Sequence, residues 1–246
     1  MQKKKKRVLI PLIVLAVLLA AFFSFFQFTK MGYLLSIRYK PSFREIAPNV
    51  YINKGNSMSD EEALSIYNQA TDRVTDYFGE LRCRDTTTLI ICDDETISNR
   101  IGYKETLTQI YPEKKDYICL DMDYFNVDVV AHEFTHAELH SHLSADTQRS
   151  LPTWFDEGLA TQNDYRERYS TENWIERTEN GKKATPLEDM DEPSEFQCSD
   201  EQERQYHYLC AKHEVAEWIE AHSVQELMEM VDKVEAGEDF YTLYGK

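Results

Sequence analysis

The five cysteines (Cys83, Cys92, Cys119, Cys198 and Cys210) contain no C-x-x-C pair. That absence excludes a cysteine-built zinc site. The count is odd, so at least one thiol stays free, and spacing alone pairs none of them. Cys92 and Cys119 fall in strand-like runs that suit buried, reduced thiols. Basic residues are scarce beyond the N-terminus. Lys3, Lys4, Lys5, Lys6 and Arg7 are five of the 27 lysines and arginines, and the other 22 face 44 acidic residues. A body this acidic lacks the basic face that phosphate binding needs, which excludes nucleic acid as a partner. No internal repeat is present. With 42% hydrophobic and 12% aromatic residues, a globular body is expected.

"KKKKRVLIPLIVLAVLLAAFFSFFQF" sets a basic cluster before an apolar run from Val8 to Phe28. As helix that run is about 31 Å long at about 1.5 Å per residue. It matches a hydrocarbon core of about 30 Å. Pro11 lies in its first turn, where proline is tolerated. The run closes on Phe22, Phe23, Phe25 and Phe26 rather than on a small-x-small cleavage site, which predicts an uncleaved signal-anchor. The positive-inside rule then keeps Lys3–Arg7 in the cytoplasm and sets the body on the outer side of the cell membrane, single-pass. Residues 1–30 are thus expected to be a basic stub and transmembrane anchor, 31–58 a connector, and 59–246 the folded domain.

In the body, "SDEE" at 59–62 matches a capping box, with Ser59 as cap and Glu62 three residues later. An apolar stripe of Ala63, Ile66, Tyr67, Ala70, Val74 and Phe78 predicts a helix that Gly79 ends. "NVYINKG" reads as a short extended piece. "TTTLIIC" (86–92) predicts a central strand, and "DYICLDMD" (116–123) a second strand at an edge. Residues 93–115 read as a loop, with Gly102 and Pro112 as breakers. Helices are expected over 127–143, 151–162, 203–222 and 224–234. The polar, acidic stretch 163–200 reads as a long surface excursion. Strands early and helices late indicate α+β.

"AHEFTHAELHSH" (131–142) holds four of the seven histidines: His132, His136, His140 and His142. Residues four apart on a helix lie about 40° apart around its axis, so His132 and His136 can face one ion. Glu133 sits where it can take a proton from a metal-activated water and return it to the leaving amine. This is the working arrangement of H-E-x-x-H. Two residues compete as third ligand. His142 lies ten residues after His132, the separation of the metzincin pattern. That pattern needs a glycine where this chain has Leu139, which resists a positive φ, and no Met-turn follows. His140 continues up the helix, away from the ion. Glu157, in "WFDEGLA" on a separate helix, completes a His₂Glu set instead.

"AHEFTHAEL" followed by "LPTWFDEGLATQ" resembles the peptidase MA-like family of gluzincins, in which a zinc-binding helix precedes a W-x-x-E-G-x-A helix. The resemblance covers residues 126–163. It implies that His132, His136 and Glu157 bind one Zn²⁺ and that Glu133 is base and acid. It also implies a tyrosine that steadies the oxyanion: Tyr208, or Tyr206, in "QYHYLC", with His207 and His213 as alternatives. The family often carries an acidic residue four positions after the ligand glutamate, which orients a ligand histidine. Here that position is Thr161, which leaves Asp156 or Asp164 for the task. Trp154 and Phe155 read as core. "DYICLDMD" is the expected docking strand for an extended peptide.

The expectation is an α+β, zincin-like domain: a small mixed sheet, an HExxH helix, a glutamate helix and C-terminal helices behind one N-terminal transmembrane helix. Its function would be a membrane-anchored zinc metallopeptidase acting on peptide or protein substrates. The rival readings are a metzincin-like site using His142 and a non-catalytic binding module on a zincin scaffold.

Overall fold

The structure, a computed structural model, describes the backbone of residues 2–111 and 115–246 and the side chains of 13–108 and 116–246. Helices α1 (Gln2–Phe28) and α2 (Lys30–Leu35) lead into strands β1 (Phe43–Ala47) and β2 (Val50–Asn53). Helix α3 (Asp60–Phe78), strand β3 (Thr88–Ile91), helix α4 (Glu95–Ile101) and strands β4 (Thr106–Tyr111) and β5 (Lys115–Leu120) follow. The rest is helical: α5 (Val127–Ser141), α6 (Ala145–Ser150), α7 (Thr153–Ala160), α8 (Thr171–Arg177), α9 (Pro193–Phe196), α10 (Glu201–Ala221), α11 (Val224–Glu235) and α12 (Phe240–Tyr244).

The N-terminal expectation is corrected. Among the described residues no helix is long and apolar enough to cross a membrane. The described side chains of α1 run from Ile13 to Phe28. The far end of that stretch also belongs to the body. Lys40 Nζ donates to the Phe26 carbonyl at 3.1 Å. Thr29 caps α2 by accepting from the Gly32 N–H. The Lys40 contact places a charged amine on the last turn of α1. The transmembrane helix, the signal-anchor, the membrane contact and the single-pass, outward-facing placement are therefore not carried forward. The side chains of Lys3–Arg7 and of Val8–Leu12 lie outside the described residues, as does Pro112.

The five strands form one mixed sheet in the order β1-β2-β3-β5-β4. β2, β3 and β5 run parallel, while β1 and β4 are antiparallel to their neighbours. The fold is α+β, as expected, but two strand assignments change. "DYICLDMD" supplies β5, an inner strand paired on both sides, not an edge. The edge is β4, inside the stretch expected to be a loop. It pairs with β5 from Thr106↔Leu120 to Tyr111↔Lys115. The same stretch also holds α4, whose Asp94 cap accepts from the Thr96 and Ile97 N–H groups. Gly102 ends α4 in a left-handed conformation at φ +86°. "NVYINKG" contains β2, and β1 precedes it within the expected connector.

Alternation sorts the sheet's side chains into two layers. Val50, Ile52, Leu89, Ile91, Ile118 and Leu120 face α3 and α5 and are buried with Ala70, Val74, Val130 and Phe134. Tyr51, Ile90, Cys92, Tyr117 and Cys119 face the other way, onto Leu34, Ile37 and Ile101. All five cysteines are free thiols. Ser59 caps α3 as expected: its Oγ accepts from the Glu62 N–H at 3.1 Å. A third core, behind α5, joins α7, α10, α11 and α12 around Trp154, Phe155, Leu159 and Phe240.

α7 and α10 pack directly on each other in that third core. A Cβ on Gly158 would lie 2.5 Å from the Ala211 carbonyl oxygen, and backbone cannot yield as a flexible side chain does. Gly158→Ala should therefore destabilise the fold by about 1–3 kcal/mol. In a thermal melt that is a fall of about 2–4 °C per kcal/mol for a domain of this size. An unchanged midpoint would show that the two helices separate freely.

Candidate metal centre

The helix α5 that carries the histidines is held on all sides. Asn126 caps it by accepting from the Asp128 and Val129 N–H groups. Val130, Phe134 and Ala137 lock it to the sheet. Asp128 pairs with Arg73 at 2.6 Å. Glu138, buried, accepts from the Cys83 backbone N–H. Helix α7 crosses the opposite face of α5. Its N-terminus is anchored from the 163–200 stretch: the Thr153 and Trp154 N–H groups donate to the Asp191 and Met190 carbonyls. That stretch is therefore more than an excursion, since it supports the helix that carries Glu157 and buries Tyr169, Met190 and Phe196.

Between α5 and α7 three donor atoms converge. His132 Nε2 and His136 Nε2 are 3.2 Å apart. Glu157 Oε2 lies 3.5 Å from the first and 3.3 Å from the second. A tetrahedral ion with bonds of about 2.0–2.1 Å separates its donors by about 3.3–3.4 Å. Glu157 Oε2 is buried and has no hydrogen-bond partner among the described residues. A buried anionic oxygen facing two imidazole nitrogens calls for positive charge at their common centre. The electrostatics agree. Burial alone would raise the Glu157 pKa, yet His136 and His132 beside it draw it down to about 2. Burial alone would lower the His136 pKa, yet Asp156 and Glu157 hold it well above the ordinary imidazole value. The same field that favours a proton here favours a metal cation. These side chains could hold an ion.

Asp156 fixes the chemistry of His136. Its Oδ1 lies 2.6 Å from His136 Nδ1. An ionised carboxylate only accepts, so Nδ1 carries the hydrogen and Nε2 keeps its lone pair for the centre. The other oxygen of Asp156 accepts from His140 Nε2 at 3.1 Å. His136, His140 and Asp156 form a second group able to hold an ion. Because it would consume the Nδ1–H that orients His136, the group with Glu157 is the stronger of the two. Of the two carboxylates considered for the orienting task, Asp156 is the one bonded to a ligand-candidate histidine. Asp164 instead pairs with Arg166, and Thr161 donates to the Glu157 carbonyl. Asp156→Asn should lower metal affinity by about 10–100-fold, as loss of a supporting carboxylate does. Equilibrium dialysis against graded metal would read it, and wild-type affinity in the variant would remove Asp156 from this role.

The remaining candidates separate cleanly. Glu133 is buried next to His132 and accepts from the Thr108 hydroxyl on β4. Tyr208 lines the same cleft, its ring 6.0 Å from that of His132. Burial, then the nearby Glu157, raises its hydroxyl pKa well above the phenol range. Tyr206 points elsewhere and donates to the Lys183 carbonyl at 2.6 Å. His207 Nδ1 bonds the Glu195 carbonyl, and His213 stacks on Trp174. His142 is not brought to the cluster. It caps the end of α5, with Nδ1 on Asp232 at 2.8 Å and Nε2 on Glu138 at 3.3 Å. Trp154 and Phe155 are fully buried in the third core.

No protein-family model matches the chain, and no curated protein matches it. The functional reading therefore rests on the chemistry of the site itself. Sequence reasoning missed Thr108, because β4 was read as loop. The alternation of Thr106 and Thr108 with Leu107 was the available signal.

Proposed function

We propose that this chain is a zinc-dependent peptidase whose ion is held by His132, His136 and Glu157. The carrying observation is the convergence of two imidazole nitrogens and one unpartnered carboxylate oxygen within 3.2–3.5 Å. A donor set of two nitrogens and one oxygen with room for a fourth ligand suits catalytic zinc. Such an ion supplies Lewis acidity and makes a bound water acidic near neutral pH.

The chain's own residues do the rest. Glu133 takes the proton of the attacking water and delivers it to the departing amine. The Thr108 hydroxyl donates to Glu133 and so holds its carboxylate in one orientation. Tyr208, kept protonated by its raised pKa, offers a hydrogen bond to the oxygen that gains charge. Asp156 holds the His136 ring in place. A peptide substrate is favoured because β4 ends the sheet beside the cleft. An extended backbone can pair with such an edge and lie across the centre.

The test is cleavage of a peptide library by the full-length chain, before and after chelation and with zinc returned. Cleavage lost on chelation and restored by zinc supports the reading. A metal-loaded protein that cleaves no peptide would support the binding-module alternative instead.

A further inference from the structure

Beyond the carboxylates of the centre itself, the cleft there, about 810 Å³, is lined by more basic than acidic side chains, the reverse of the protein as a whole. The chain carries 44 acidic against 27 basic residues. Yet Lys104, Arg166, Arg168 and Arg204 line this cleft, and beyond the centre's own carboxylates the acidic lining is Glu105 and Glu201. Those two glutamates and Lys104 are exposed, where water and salt screen them, whereas the three arginines are half-buried. Arg166 is neutralised by Asp164. Arg44, Arg73, Arg82 and Arg149 likewise pair with aspartates. Arg168 and Arg204 have no ion pair among the described residues.

Both arginines border the aromatic wall next to the ligand histidines. The Arg168 guanidinium lies 5.2 Å over the Tyr169 ring, and its Nε is buried with no acceptor among the described residues. Tyr169 is 6.0 Å from Tyr208, which is 6.0 Å from His132. Arg204 stands one turn before Tyr208 on α10. A guanidinium sheltered from water and lacking a counter-charge is a ready partner for a carboxylate, which its planar fork matches in two hydrogen bonds. The space on the other side of Asp156 and Glu157 is acidic, lined by Asp116, Asp191 and Glu192. The cleft thus has a direction.

We propose that Arg168 and Arg204 form a carboxylate-recognition subsite, so that the substrate is a peptide bearing a negative charge at the arginine-lined end. The inference rests on the peptidase reading. It fixes the substrate's charge and leaves the carboxylate's source, an acidic side chain or the C-terminus, to experiment.

Binding separates it from catalysis. Three hexapeptide mixtures, each with an uncharged dye at the N-terminus, differ only in charge. One has an internal Glu and an amidated end, one has Gln there and a free C-terminal carboxylate, and one has Gln and an amidated end. Fluorescence anisotropy on the full-length, zinc-loaded Glu133→Gln chain gives their affinities without cleavage. At least one carboxylate probe should bind about tenfold more tightly than the neutral probe, and which one does identifies the source. The Arg168→Gln/Arg204→Gln double variant should lose that preference and still bind the neutral probe as before. The Arg168→Lys/Arg204→Lys variant, which keeps the charge, should retain part of it, and circular dichroism checks that each chain is folded. Equal affinities for all probes, or no binding of the carboxylate probes, would overturn the subsite. So would a preference that survives the double Gln variant, which would mean the carboxylate sits on the ion. A carboxylate preference without any cleavage by wild type would sink the peptidase reading and leave the subsite standing.

Discussion

Glu157→Gln should strip the chain of its metal. Elemental analysis of the full-length protein after dialysis against zinc should find one ion per wild-type chain and none in the variant. The amide keeps the shape of the side chain and removes the negative charge that two imidazoles face at 3.3 and 3.5 Å. Loss of a supporting residue alone costs about 10–100-fold in metal affinity, and loss of a ligand should exceed that. His142→Ala is the matched control. His142 bonds Asp232 and Glu138, away from the centre, so its loss should lower stability by about 1–3 kcal/mol and leave the ion in place. Zinc retained by Glu157→Gln and lost from His142→Ala would reverse the ligand assignment.

Glu133→Gln should have the largest effect on rate. Removing a positioned general base costs about 10²–10⁴ in kcat, or about 3–5 kcal/mol at about 1.36 kcal/mol per tenfold. Zinc content should stay at one ion, because Glu133 is not among the three converging donors. KM should change little, since the lost interaction belongs to the transition state. The two variants thus predict opposite patterns, metal lost in one and rate lost with metal kept in the other. A Glu133→Gln chain that cleaves as fast as wild type would mean that another group takes the proton.

Where the sequence was informative, it was so through local rules. The Ser59 cap, the Gly79 stop and the apolar stripe of α3 act within a few turns, and all are visible in the string of residues. The i, i+4 spacing of His132 and His136 likewise guarantees a shared helix face wherever that helix lies. The loop assigned to 93–115 failed for a physical reason. α4 is seven residues long, and β4 is a half-polar edge strand, so neither has the run of apolar residues that burial on both faces imposes on β3 and β5. The N-terminal anchor failed because hydropathy scores a run without knowing what meets its end. The Phe26 carbonyl is met by a lysine from the body.

By itself the sequence determined the α+β class, the helix that carries H-E-x-x-H and the pair of residues competing to be the third ligand. Only the tertiary structure sets Glu157, and not His142, beside the two imidazoles. The string disfavours His142 through Leu139 and the lack of a Met-turn, but it cannot show that Glu157 reaches the two histidines. α7 is seated against α10 through Gly158 on Ala211 and held at its start by the Asp191 and Met190 carbonyls, and in that position Glu157 lies at the centre while His142 stays on Asp232. The same position of α7 sets Asp156 on His136, and the packing of α10 sets Arg204 and Tyr208 along the cleft. Convergence of groups from separate helices depends on how those helices pack, and packing is a property of the whole core rather than of any local run of residues.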